Sequence, residues 1–179
     1  MAFILWLLGF FMHTLFSSSY PPISDEEKEL HRLINAYRIS RGLQEVPISP
    51  ALTKVAQAHA KDLMYHYKQS NRCNMHSWSK EGPWTACCYR DNHKNASCMW
   101  DKPKEIAGYD SPGYEIAYWH SNAATAGQAL EVWKKSPGHH AVLANLGTFK
   151  DANWQAMGIG IYKEYAVVWF GEMPDKIEQ

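Results

Sequence analysis

Apolar residues recur at helical spacing in two stretches near the start of the chain. Leu30, Leu33, Ile34 and Tyr37 lie three and four positions apart, forming one stripe of a helix. Ser24 followed by Glu27 has the pattern of a capping box, and Gly42 supplies a stop. Ser49-Pro50 reads as an N-cap with proline at the first helical position. Behind it Leu52, Val55, Ala56, Ala60, Leu63 and Tyr67 make the apolar face of a second helix.

From about Gln69 to Gly113 the periodicity breaks up. The stretch holds every cysteine, several turn-forming Pro and Gly residues, and Trp78, Trp84 and Trp100. It is too long for an unstructured loop inside a compact domain, so it reads as an insertion with short local elements. Regular patterning then returns. Glu115 to Trp119 predicts a strand, Ala126, Ala129, Leu130 and Trp133 a third helix, and Ser136-Pro137-Gly138 its break, with His139 to Leu143 as one further turn. Met157 to Tyr162, a Lys163-Glu164 turn and Tyr165 to Phe170 read as an antiparallel hairpin. Helices on both sides of a small antiparallel sheet, an α/β arrangement, satisfy this order of elements.

Composition narrows the picture. At 179 residues the chain is the size of one ordinary domain, and 46% hydrophobic and 13% aromatic residues suffice for a core. The formal net charge is zero, which argues against nucleic acid as a partner. Met1 to Phe16 carries no charged side chain, and the apolar run from Ala2 to Met12 is followed by Ser17-Ser18-Ser19 and Tyr20-Pro21-Pro22. A bilayer core of about 30 Å needs roughly 20 apolar residues, and this run is shorter. Residues 1–19 therefore read as a signal peptide, with cleavage near Ser19 and no stable membrane span afterwards. The n-region lacks Lys and Arg, and a retained anchor is the alternative. The mature protein is expected to be secreted, whether extracellular or periplasmic.

All four cysteines, Cys73, Cys87, Cys88 and Cys98, cluster in the insertion. In an exported protein an even, clustered set reads as disulfides. The adjacent pair Cys87 and Cys88 points outward, one to Cys73 and one to Cys98, and the sequence leaves open which goes where. The rival is a four-thiolate zinc site, against which stands the absence of any Cys-x-x-Cys pair. Asn95-Ala96-Ser97 is a glycosylation sequon in the same region.

Five blocks in order carry a resemblance. They are Asn35-Ala36-Tyr37-Arg38, His76-Ser77, Gly113-Tyr114-Glu115-Ile116-Ala117, Trp133-Lys134-Lys135-Ser136-Pro137-Gly138-His139, and Gly158-Ile159-Gly160 with Trp169-Phe170-Gly171. Together they resemble the CAP superfamily, also called the SCP or PR-1-like domain, over residues 24–173. The resemblance implies a three-layer α-β-α sandwich with a central cleft lined by histidine and glutamate. By motif match the histidines are His76 and His139, which in many members can hold a divalent metal, often zinc, and the strand glutamate is Glu115. Two imidazoles leave such a site half open, so a metal there is expected to be weakly bound. The chain departs from the family pattern in three ways. Tyr114 separates Gly113 from Glu115 where the family usually reads Gly-Glu-Asn. Glu131 is the only candidate for a second pocket glutamate on the helix before His139. The cysteines of the C-terminal half are missing.

The remaining histidines read as surface or satisfied core groups. His59 and His66 are seven apart on one helix, too far along its axis to chelate one ion, and His31, His93 and His120 have no partner at chelating spacing. His140 is expected to face away from His139 and to be exposed. The resemblance favours a secreted binding or signalling module over an enzyme, with a sterol or other lipid, or an extracellular protein, as partner. The alternative is a hydrolase working in the same cleft. It would use Ser77 or Ser136 as nucleophile, or a metal-bound water with Glu115 as base. Ser77 lacks the Gly-flanked turn of a nucleophile elbow. A stabilising domain with a vestigial pocket is the third reading.

Overall fold

The computed structural model describes residues 20–68 and 72–175, so the predicted signal segment lies outside the described residues. The described residues form six α-helices: α1 (Asp25–Ser40), α2 (Pro50–His66), α3 (Ser97–Trp100), α4 (Lys102–Ala107), α5 (Ala126–Lys135) and α6 (Pro137–Leu143). The strands are β1 (Gly113–Trp119), β2 (Ala156–Tyr162) and β3 (Tyr165–Gly171). They form one antiparallel sheet in the order β1-β3-β2.

β3 is the centre of the molecule, and its alternation decides the layers. Ala166, Val168 and Phe170 face a core shared with α1, α5 and α6; Tyr165, Val167 and Trp169 face a second core under α2 and the cysteine-bearing insertion. The result is the expected α-β-α sandwich, with the insertion extending the α2 layer. Leu52, Val55 and Leu63 are fully buried there. Each contributes about 1.5–3 kcal/mol through the water it loses.

The contact between α2 and β2 explains the Gly158-Ile159-Gly160 block. A Cβ on Gly158 would sit 2.0 Å from the Leu52 carbonyl carbon, and one on Gly160 would sit 2.3 Å from that of Ala56. Glycine at alternate positions lets the helix backbone lie directly on the strand.

The Asn35–Arg38 block is structural. Asn35 both donates to Val46 O and accepts from Val46 N, at 3.1 and 2.9 Å. The buried Arg38 donates from Nη1 to Leu143 O and Asn145 Oδ1, both at 2.8 Å, tying α1 to the end of α6. Burial pushes its pKa down to about 10. The capping box at Ser24 and Glu27 is present as predicted. Glu27 also accepts from Gln57 Nε2 on α2 and from Ile161 N on β2, so one carboxylate joins both helical layers to the sheet.

The insertion contains the expected short elements, α3 and α4, and a two-residue bridge between Trp78 and Cys87. Cys73 pairs with Cys88 and Cys87 with Cys98. The adjacent cysteines point outward, and no free thiol remains among the described residues for the alternative zinc reading. No described helix is long and apolar enough to cross a membrane.

Candidate functional site

Glu115 lies on β1 at a position whose neighbour Ala117 faces the α2 layer, so strand alternation turns its carboxylate toward α2. His59 of α2 meets it there: His59 Nδ1 and Glu115 Oε2 are 2.5 Å apart, and both side chains are 0% exposed. The other ring nitrogen of His59 lies 3.0 Å from Ser77 O. A carboxylate and a carbonyl both accept, so these partners are matched when both His59 nitrogens donate. Its ring stacks on Trp78 at 4.1 Å between centroids and 8° between planes.

The second carboxylate oxygen is taken from the opposite side. His76 Nδ1 lies 2.7 Å from Glu115 Oε1. His76 comes from the first part of the insertion, whose path is fixed by Cys73–Cys88 and by the backbone bond from Asn74 N to Tyr89 O. With Nδ1 engaged by Glu115, Nε2 is the His76 ring nitrogen left for a ligand. Burial pushes the Glu115 carboxyl up, but His59 and His76 more than offset this and its pKa ends below the ordinary value.

His139 enters from the first turn of α6, its ring centroid 6.5 Å from that of His76. Pro137 at the helix start and the preceding break at Ser136 turn the chain so that this residue faces the sheet edge. Its Nδ1 is buried without a hydrogen-bond partner. Burial first and the nearby His76 second lower its pKa to about 4, with Glu115 only partly opposing them. His139 is therefore neutral at pH 7.

These three side chains line a cleft of about 940 Å³ that runs along the edge strand β1. The structure places Glu131 elsewhere. It is 56% exposed on α5 and paired at 2.6 Å with Lys134, one turn along the helix, so it does not belong to the cleft. Conversely His59, read from the sequence as a satisfied core group, is the residue that holds Glu115. Its signal was its position: it falls between Ala56 and Leu63 on the apolar face of α2, where a buried imidazole must find a polar partner. His140 is only half-buried and bonds the Tyr37 hydroxyl at 2.7 Å, so it is not the free exposed group expected.

The serine candidates differ in their surroundings. Ser77 Oγ accepts from Tyr89 N at 2.9 Å and donates to Tyr89 O at 3.3 Å, a structural role that uses its hydroxyl. Ser136 lines the cleft and makes no capping bond to α6. Among the described residues, no group of three or more His, Cys, Asp and Glu side chains is placed to hold a metal ion.

Residues 31–168 match the model of the CAP family, described as the cysteine-rich secretory protein family, and the chain belongs to that family. It is similar in structure to an extracellular SCP-domain protein from Bacillus anthracis, with a TM-score of 0.59 at 18% identity over 83% of this chain. An outer surface protein from Borrelia burgdorferi matches 87% of this chain and 97% of its own, with a TM-score of 0.53 at 18% identity. A cysteine-rich secretory protein from Staphylococcus aureus gives a TM-score of 0.52 at 15% identity over 85% of this chain. This chain covers 40% of the Bacillus protein and 41% of the Staphylococcus protein. Curated proteins give no significant match by sequence.

Proposed function

We propose that this chain is an exported, non-enzymatic binding module whose ligand enters the cleft over His76 and His139. The observation that carries the reading is the lock on Glu115. A fully buried carboxylate is held by two imidazoles from different elements, and one of them, His76, lines a cleft of about 940 Å³. Such a prebuilt polar floor in an aromatic cleft suits a bound molecule. A lipid-like ligand such as a sterol, or a side chain of an extracellular protein partner, fits the mixed lining. Export rests on the N-terminal apolar segment and on family membership.

A weakly bound divalent metal, zinc for example, belongs to the same reading. The donor set fits a partly open site: His76 and His139 are the two protein ligands, and His139 has a buried nitrogen without a protein partner. A metal held there would supply a Lewis-acidic position within the cleft. Glu115 acts one step back, fixing the His76 tautomer as a hydrogen-bonded carboxylate does at histidine-ligated metals.

Catalysis has one specific observation in its favour, the carboxylate-oriented imidazole of His76, which resembles the base–orienter half of a catalytic triad. The nucleophile half has less support, since Ser77 is committed to Tyr89 and Ser136 makes no hydrogen bond to either cleft histidine. Isothermal titration of zinc at pH 7.5, with His76→Ala and His139→Ala beside the parent, tests the metal reading. Binding lost in either variant supports it, and no binding to the parent, or equal binding by both variants, overturns it. An ester-hydrolysis assay on Ser136→Ala separates the classes: activity in the parent that vanishes in this variant would make the protein a serine hydrolase.

A further inference from the structure

The cleft has two unlike ends. His76, Glu115 and His139 form the polar one. At the other, the Tyr114 ring lies 5.4 Å from both Phe149 and Trp154 and 6.0 Å from Trp100, which is 37% exposed. Tyr114 and Glu115 are consecutive on the edge strand β1, so alternation sends one to each face and the cleft wraps over the edge between them.

The charged side chains that line this aromatic end are acidic. Asp151 and Glu172 line it, Asp91 lies toward the histidines, and no Lys or Arg is among the described residues that line the cleft. Asp91 is already bonded to Asn74, and Lys150 approaches the exposed Asp151 at 3.9 Å. Glu172 is different. One of its oxygens accepts from Asn153 N at 3.2 Å, and among the described residues no cation pairs with it. Its charge acts on Tyr114, whose phenol is raised first by burial and then by Glu172. A carboxylate and an aromatic wall thus share one place, with His76 and His139 at the far end.

Resting on the reading of the cleft as a ligand site, we propose that its preferred ligand is a cationic amphiphile. An alkyl- or arylammonium head sits against the rings of Trp100 and Tyr114 beside Glu172, with its apolar part over Phe149 and Trp154. Ring faces attract a cation through their quadrupole, and a nearby carboxylate adds charge complementarity. A fatty acid of the same length would instead bring its carboxylate to a cleft whose described lining offers no Lys or Arg.

Calorimetric titration of the full chain with decyltrimethylammonium, decanol and decanoate tests this, since the three share one chain length and differ in head-group charge. Each is used below its micelle-forming concentration. The ammonium compound is expected to bind roughly tenfold tighter than decanoate, a ratio of the size one favourable cation–aromatic contact gives. Glu172→Gln and Trp100→Ala are each expected to weaken the ammonium compound several-fold while leaving decanol nearly unchanged. Decanoate binding as tightly as the ammonium compound, or ammonium binding unaltered in both variants, overturns the cation preference, while decanol binding still upholds the ligand cleft. Failure of all three to bind overturns the cation proposal and the lipid-like ligand reading together.

Discussion

His59 and Glu115 lie fifty-six positions apart in sequence, yet Nδ1 and Oε2 approach to 2.5 Å with no solvent access to either side chain. The pair joins α2 to the edge strand and fixes the carboxylate that orients His76. Removing one partner of a buried pair leaves the other charge uncompensated. His59→Ala should therefore destabilise the domain by about 3–5 kcal/mol, read by denaturant unfolding. His66→Ala, on the exposed end of the same helix, should change stability by less than about 0.5 kcal/mol.

His139 makes stability depend on pH in a defined window. Its folded pKa is depressed from the ordinary 6.5 to about 4, so the unfolded chain takes up a proton first as the pH falls. The stability associated with the neutral imidazole is complete above about pH 6.5 and is lost progressively toward pH 4. Comparing unfolding midpoints at pH 7.5 and pH 4.5 should show a loss of about 2 kcal/mol in the parent that shrinks in His139→Ala.

The disulfide pairing has a direct readout. Peptide mapping without reduction should recover Cys73 linked to Cys88 and Cys87 linked to Cys98. Replacing both Cys73 and Cys88 by Ser opens a loop of fifteen-residue separation and should cost about 3 kcal/mol by chain entropy. His76 lies inside that loop, so zinc titration of the same variant should show weakened binding if His76 holds the metal.

Two glycines should respond oppositely to alanine. At Gly158 the new Cβ would meet the Leu52 backbone at 2.0 Å, and the helix would have to leave the sheet, costing about 2–4 kcal/mol. Gly127, inside α5 with nothing within 4 Å of the added atom, should gain about 0.5–1 kcal/mol. Thermal unfolding of the two variants measures both.

What the sequence disclosed and what it hid follow from the range of the interactions. α1, α2 and the β2–β3 hairpin were legible because each writes its burial as a local period, and Ser24, Ser49 and Gly42 mark their ends. The outward pairing of Cys87 and Cys88 was legible from their adjacency, but the partner of each depended on the path of the insertion. α3 and α4 left no period because they span only four and six residues. His59 was overlooked because its role comes entirely from a partner on a strand that no local pattern could bring beside it. Glu131 faces solvent for the complementary reason: neighbouring Leu130 and Trp133 claim the inward face of α5, and Lys134 offers an exposed partner.

The lock on Glu115 is the feature on which the site depends, and histidine side-chain ¹H–¹⁵N correlation spectra at pH 7 probe it most directly. The expected result is His59 carrying a proton on both ring nitrogens and His76 carrying its own on Nδ1, with Glu115→Gln altering both signals together. A His59 protonated on one nitrogen only, or a His76 protonated on Nε2 alone and indifferent to Glu115→Gln, would contradict the lock and remove the physical basis for a prebuilt cleft.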